Sequence, residues 1–241
     1  LAALAARLIG AHATIIVPDD APQAKLQGAK DEGADILFYN RRTQDREILG
    51  REFQEKTGAI LIPPFDHEDV IAGQGTIGLE IIDFAKSQNI VFDKVFVQAA
   101  GGGLASGIGL VLEELSPKTE LIIGEPITHN DLFRSMKSGQ LESNSPDVPN
   151  SVQDALLAPR AGKITFPILQ RIGAKVFEVT DEEALKAVAF AFANLKTVIE
   201  PGGACSLGLL LSGKIDVRGQ NICVVASGGN IDATTFIKAL E

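Results

Sequence analysis

Short β-branched runs alternate along the chain with longer segments in which apolar residues return every three or four positions. The first pattern suits strands buried on both faces and the second suits amphipathic helices, so their alternation predicts an α/β fold with a mainly parallel sheet. Strands are predicted near Thr14–Val17, Ile36–Tyr39, Ile60–Ile62, Lys94–Ala99, Leu121–Gly124, Lys175–Val179 and Ile222–Ala226. The best-marked helix is Asp181–Thr197: Thr180 and Glu183 make a capping box, and Ala184, Val188, Ala191 and Leu195 share one face. Pro63-Pro64 ends the third strand, a polar turn runs over Phe65–Asp69, and the next helix is predicted over Ile77–Ser87. A domain boundary falls at that turn, dividing 1–66 from 67–241. The longest irregular stretch, Gln140–Asn150, has a length at which loops are often functional or mobile. The chain opens directly inside an apolar helix with neither an N-cap residue nor Met, which predicts a segment preceding Leu1.

The 241 residues, 45% hydrophobic and 22% charged, suffice for one large or two small globular domains. A formal charge of −9 argues against nucleic acid and anionic membrane surfaces as partners. Two cysteines, Cys205 and Cys223, lie in apolar runs outside any metal-binding spacing; they read as core fillers of a protein from the reducing cytoplasm. No run of 18 apolar residues and no basic leader predicts membrane insertion or secretion. Three histidines so placed make no Ser/His/Asp triad; His12 and His67 read as surface or loop residues.

Glycines are clustered after predicted strand ends. Ala100-Gly101-Gly102-Gly103-Leu104-Ala105-Ser106-Gly107 follows one strand and opens a helix running to about Leu115. Successive glycines let backbone N–H groups converge, and a helix start adds partial positive charge, a combination that suits a phosphate dianion. An ordinary tight strand-to-helix turn needs the same residues, and the spacing is neither that of a dinucleotide-binding loop nor that of a Walker loop. The second cluster, Ala226-Ser227-Gly228-Gly229-Asn230, closes the last strand, where a serine hydroxyl would project into the crevice at the carboxyl ends of the strands; the alternative is an N-cap or turn serine. Glu200, ahead of Pro201-Gly202-Gly203-Ala204, taken singly reads as a helix-start carboxylate.

Taken in order, Ile71-Ala72-Gly73-Gln74-Gly75-Thr76-Ile77, the Gly101–Gly103 loop, Gly124-Glu125-Pro126, Thr165-Phe166-Pro167-Ile168, Glu200-Pro201-Gly202-Gly203-Ala204 and Ser227-Gly228-Gly229-Asn230 resemble the threonine/serine dehydratases. These are fold-type II pyridoxal-phosphate enzymes, a group that includes serine racemase. The resemblance runs the length of the chain and implies two open, mainly parallel twisted sheets with helices on both faces, here as a partial small domain (1–66) and a partial large cofactor-binding domain (67–241). It implies that the backbone of Gly101, Gly102, Gly103 and Leu104 cradles the phosphate of pyridoxal phosphate and that Ser227 hydrogen-bonds the pyridine nitrogen. Phe65 and Glu200 would border the cofactor, although an ordinary buried hinge aromatic explains Phe65 as well. Glu125, the carbonyl of His129 and Asp131 align with a divalent-cation site, for which oxygen ligands suit Mg²⁺ or Ca²⁺; otherwise Asp131 only complements a helix dipole.

The implied reaction is elimination of water from L-threonine or L-serine, giving a 2-oxo acid and ammonia, in a cytoplasmic homo-oligomer, dimer or tetramer. The alternatives are a 3-hydroxyaspartate dehydratase or a serine racemase, and Leu157-Ala158-Pro159 in place of the racemase's Lys-Ser-Ser argues against the latter. Ala100 stands where the family usually has a first glycine, a position that would be strained at positive φ. No lysine from Lys25 to Lys238 lies in the family's Schiff-base motif, and the Ser-Gly-Asn-His segment that grips the substrate carboxylate is not found. The catalytic lysine is therefore unassigned, and the expectation is an N-terminally truncated form, inactive alone; a non-catalytic binding protein is the alternative from another class.

Overall fold

A computed structural model describes residues 2–21, 23–40 and 43–241, which form two compact units, Leu1–Ile62 and Pro63–Glu241. In the first unit, helix α1 (Ala2–Leu8) precedes strand β1 (Thr14–Pro18), helix α2 (Gln23–Asp31), strand β2 (Asp35–Tyr39) and helix α3 (Arg46–Thr57). The strands pair in parallel from Thr14↔Asp35 to Pro18↔Tyr39. Helix α3 begins where the Asp45 carboxylate accepts the N–H groups of Glu47 and Ile48, and it stops at Gly58 with φ 71°. The strand expected at Ile60–Ile62 does not form. Ile60 is 87% and Ile62 69% exposed, and a β-branched run without a neighbouring strand to share its hydrogen bonds gains nothing from the extended ladder.

The second unit begins with helix α4 (Glu68–Ser87), followed by strand β3 (Lys94–Gln98), helix α5 (Gly103–Leu115), strand β4 (Glu120–Pro126) and helix α6 (Asp131–Ser138). After the loop and a 3₁₀ turn at Asp154–Leu156 come helix α7 (Thr165–Arg171), strand β5 (Lys175–Val179) and helix α8 (Asp181–Phe190), then helix α9 (Pro201–Leu211), strand β6 (Ile222–Val224) and helix α10 (Ala233–Leu240). The sheet is wholly parallel in the order β5-β4-β3-β6. Both faces are covered: Val95, Val97, Leu121 and Ile123 pack with Ile81, Ile108 and Leu112 of α4 and α5, while Phe96 and Ile122 pack with Ala184, Cys205 and Leu209 of α8 and α9. Strand residues buried on both faces explain why these runs read as continuous apolar stretches.

The capping box at Thr180 and Glu183 forms as the sequence predicts. The helix it starts keeps the α pitch only to Phe190; Ala191–Leu195 widen into a π-helical turn where the Phe192 ring meets Phe236 of α10 edge-on at 5.2 Å. Helix α4 starts at Glu68 rather than at the expected Ile77, with the His67 ring accepting the Asp69 N–H. Gly75 and Gly78 serve helix contact rather than a turn. A Cβ on Gly78 would come within 2.8 Å of Val111 Cβ, and one on Gly107 of α5 within 2.4 Å of the Ile71 carbonyl oxygen. Gly107→Ala should therefore push α4 and α5 apart and cost about 1–3 kcal/mol in urea unfolding. Gly73→Ala, with nothing within 4 Å of its Cβ, should be neutral or stabilise by about 0.5–1 kcal/mol. Equal responses would show that the glycine contact does not set the helix spacing.

Candidate cofactor-binding site and buried carboxylate pair

Because all four strands of the second unit are parallel, the residues following β3, β4 and β6 collect at one end of the sheet, the place where open α/β sheets hold ligands. After β3 the chain turns through Ala99–Gly102 into α5. Gly102 is the N-cap with φ 88°, and no side chain caps the helix. The N–H of Ser106 is the first of α5 to bond back, to the Gly102 carbonyl. The N–H groups of Gly103, Leu104 and Ala105 thus have no acceptor within the helix and lie at the positive end of its dipole. Positive φ falls on Gly102 and not on Ala100, so the alanine carries none of the strain the sequence threatened.

The loop is fixed from two sides. The Gly101 carbonyl accepts the Gly162 N–H at 3.1 Å and the Thr165 hydroxyl at 2.5 Å. Phe65 lies so close that a Cβ on Gly101 would fall 2.2 Å from its ring. The next residue, Asp66, accepts the N–H groups of Lys163 at 2.9 Å and Ile164 at 2.8 Å, which ties the Phe65 segment to the start of α7. At the end of the sheet beyond β6, the Ser227 hydroxyl accepts a hydrogen bond from the Gln98 amide, and Ser227 is exposed. It is not an N-cap: α10 begins at Ala233, capped by Asp232, whose carboxylate accepts the Thr235 N–H. Glu200 is buried at the N-cap of α9. Its N–H donates to the Gly228 carbonyl at 2.9 Å, and its carboxylate occupies the space a Cβ on Gly228 would need.

Comparisons with known proteins give the family and the fold. A model of the family described as "Pyridoxal-phosphate dependent enzyme" matches residues 1–228. The chain belongs to the pyridoxal-phosphate-dependent enzyme family. It is 38% identical over 239 residues to the L-threo-3-hydroxyaspartate ammonia-lyase of Pseudomonas sp, covering 99% of this chain and 73% of that one. Among solved structures, a threonine deaminase from T.th. superposes with a TM-score of 0.87 at 33% identity, over 96% of this chain and 74% of that one. Maize serine racemase gives 0.88 at 31% identity, over 99% and 72%. The fold is therefore that of the fold-type II pyridoxal-phosphate enzymes, with two parallel sheets and helices, as the sequence resemblance implied.

A free helix start, a loop too tight for side chains and an exposed serine at the end of the neighbouring strand fit a phosphorylated pyridine. In this member of the family Gly101, Gly102, Gly103, Leu104 and Ser227 all lie at the carboxyl end of one sheet, with Phe65 against the loop and Glu200 against the serine turn. The sequence did not single out Thr165, Asp66 or Gln98 individually. Thr165 stood inside a recognised motif, but nothing local signals that it bonds a carbonyl 64 positions away.

A second polar cluster lies at the end of β4. Glu125, fully buried, accepts the N–H of Leu132 at 3.0 Å and of Phe133 at 2.9 Å, so its carboxylate caps the first turn of α6. Asp131 is 1% exposed and accepts from the Asn144 amide at 2.6 Å, while its Oδ2 is buried without a hydrogen-bond partner. His129 lies in the turn between them, its N–H bonded to the Pro126 carbonyl. Burial, helped by the Asp131 charge, pushes the Glu125 carboxyl well above the usual carboxylate range, and burial raises that of Asp131 to about 6. The long loop Gln140–Asn150 belongs to this cluster: besides Asn144, Arg134 donates to the Glu142 carboxylate at 2.7 Å, the Ser143 carbonyl at 3.0 Å and the Asn144 side-chain oxygen at 2.9 Å.

An acid whose folded-state value is raised holds its proton in the native state over an interval where the unfolded chain has lost it, so stability declines across that interval. In metal-free buffer the Asp131 contribution should fall away from about pH 4 to about pH 6. Asp131→Asn should abolish that part of the decline. In thermal melts with EDTA the variant should exceed the unsubstituted protein at neutral pH, and the gap should close toward pH 4. A gap of the same size at every pH would contradict the buried-proton account.

Proposed function

We propose that this chain supplies the cofactor-phosphate loop, the pyridine-nitrogen serine and a cation site of an ammonia-lyase that removes water from a small β-hydroxy amino acid, L-threonine or L-serine. The observation that carries the reading is the uncapped start of α5 at Gly102–Leu104, together with Ser227 at the same end of the sheet. Pyridoxal phosphate, when bound, supplies an electron-accepting ring for the charge left on the α-carbon once its proton is removed. The loop N–H groups would hold the phosphate dianion, and the tight fit of Phe65 and Thr165 keeps the loop from relaxing. A serine hydroxyl at the ring nitrogen brings no negative charge to keep it protonated, which favours prompt loss of the β-hydroxyl. Water is lost, and hydrolysis of the product yields a 2-oxo acid and ammonia.

Glu125 and Asp131, with the His129 carbonyl, are the residues that would hold Mg²⁺ or a similar cation. Two buried carboxylates, one with an orphan oxygen at Asp131, offer oxygen ligands of the kind that suit a hard divalent ion. A 1–66 small domain and a 67–241 cofactor domain, a cytoplasmic location and a homo-oligomer belong to the same reading. Among the described residues no helix is long and apolar enough to cross a membrane.

A second substrate, 3-hydroxyaspartate, is favoured by the 38% identity to a lyase named for it. Expressed behind the lysine-bearing segment of the family, the chain should release 2-oxobutyrate from threonine and pyruvate from serine, and Gly102→Val should lose the cofactor. By itself the 241-residue chain should release neither. Oxaloacetate from 3-hydroxyaspartate as the dominant product would select the second reading, D-serine the racemase, and no product with retained cofactor would defeat the lyase assignment. Mg²⁺ should raise the melting midpoint at neutral pH for the unsubstituted chain and leave Asp131→Asn unmoved; equal shifts would exclude the carboxylate pair as its site.

A further inference from the structure

We infer that Gln98 sets the polarity of the Ser227 hydroxyl, making it a donor toward the pyridine nitrogen and so holding that nitrogen unprotonated. The inference rests on the assignment of Ser227 to the ring nitrogen. Gln98 ends β3 and pairs with Gly124 of β4. Strand alternation puts it on the face of Phe96, whose neighbours in the core include Cys205 and Leu209. It is 2% exposed, and its side-chain oxygen is buried without a hydrogen-bond partner. An amide kept in an apolar layer with one end unsatisfied is costly, and such a residue calls for an explanation in what its other end does. That other end, the amide nitrogen, donates to Ser227 Oγ.

The consequence is directional. A hydroxyl has one proton and two lone pairs. With one lone pair taken by the Gln98 N–H, the oxygen becomes a poorer second acceptor and its O–H a better donor. Gln98 is the only hydrogen-bond partner of Ser227 among the described residues, so the serine proton remains available for a ring nitrogen in the crevice. The reverse orientation of the amide would leave a two-donor NH₂ group buried in place of one carbonyl oxygen, and buried N–H groups are orphaned more rarely than carbonyls. The Glu200 carboxylate lies against Gly228 of this turn. It is unchanged in each variant below, so differences among them report on position 98 or position 227. Gln98 is thus a positioning residue: it acts on the cofactor through Ser227.

The test is ¹⁵N NMR of pyridoxal phosphate labelled at the ring nitrogen and bound to the chain expressed behind the lysine-bearing segment of the family. The unsubstituted protein should show the bound nitrogen at the neutral pyridine position. In Gln98→Glu the carboxylate accepts the serine proton, the serine oxygen turns to the ring as an acceptor, and the resonance should move toward the pyridinium position. Gln98→Met, which keeps the volume and removes the donor, should move it the same way by less, a change that a merely space-filling residue would not produce. Ser227→Ala separates the two assignments. If Ser227→Ala shifts the nitrogen and both position-98 variants leave it in place, the Gln98 inference is overturned and the serine assignment stands. If Ser227→Ala leaves it in place, the serine site itself is wrong and the inference falls with it. A pyridinium signal from the unsubstituted protein also overturns the inference.

Discussion

The carbonyl of Gly101 is the point on which the site depends. It is held by the Gly162 N–H and the Thr165 hydroxyl, and the same short stretch of chain around 162–165 is held in turn by the Asp66 carboxylate. Three segments far apart in sequence are thereby locked around one peptide unit, and each bond is between groups that would be costly to bury unpaired. Loss of this node would untie the Gly101 peptide from the 162–165 segment that also holds Asp66. A phosphate site made of backbone N–H groups needs that fixity, because peptide donors cannot adjust their aim by changing rotamer.

The rest of the polar chemistry sits at strand ends for a related reason. Strands β3 and β4 are covered on both faces, so their interiors take only apolar side chains, and polar groups are confined to their two ends and the turns beyond them. Gln98, Glu125 and Ser227 all occupy such positions. Parallel pairing then brings them to one end of the sheet. Glu125 shows how one side chain serves two ends: its oxygens satisfy the N-terminal N–H groups of α6, and its charge, held in a dry setting beside Asp131, raises the demand for a cation or a proton. The loop at 140–150 is tied to Asp131 through Asn144 and to α6 through Arg134.

Several features followed from local order in the chain. The alternation of β-branched runs with helical periods was enough for a parallel α/β fold, because a strand buried on both faces must be apolar throughout. The capping box at Thr180 and Glu183 was legible for the same kind of reason, since both partners lie within one turn. Motif order along the chain was enough for the family, and it pointed to Gly101–Leu104, Ser227, Glu125 and Asp131 as the residues to examine. The run at Ile60–Ile62 and the start of α4, at Glu68 rather than Ile77, mark where local rules mislead: a strand needs a neighbour, and glycines within a helix are tolerated where a close helix contact demands them.

The sequence by itself therefore determined the fold class, the family and the candidate residues, all of which depend on composition and order over short windows. Only the tertiary structure decided what those residues do to one another. That Phe65 presses on Gly101, that Thr165 bonds its carbonyl, that Asn144 meets Asp131 and that Gln98 donates to Ser227 are facts about groups 13 to 129 positions apart. Hydrogen bonds and burial depend on distance in space, and no periodicity of the chain encodes which two distant side chains the packed sheet brings within about 3 Å.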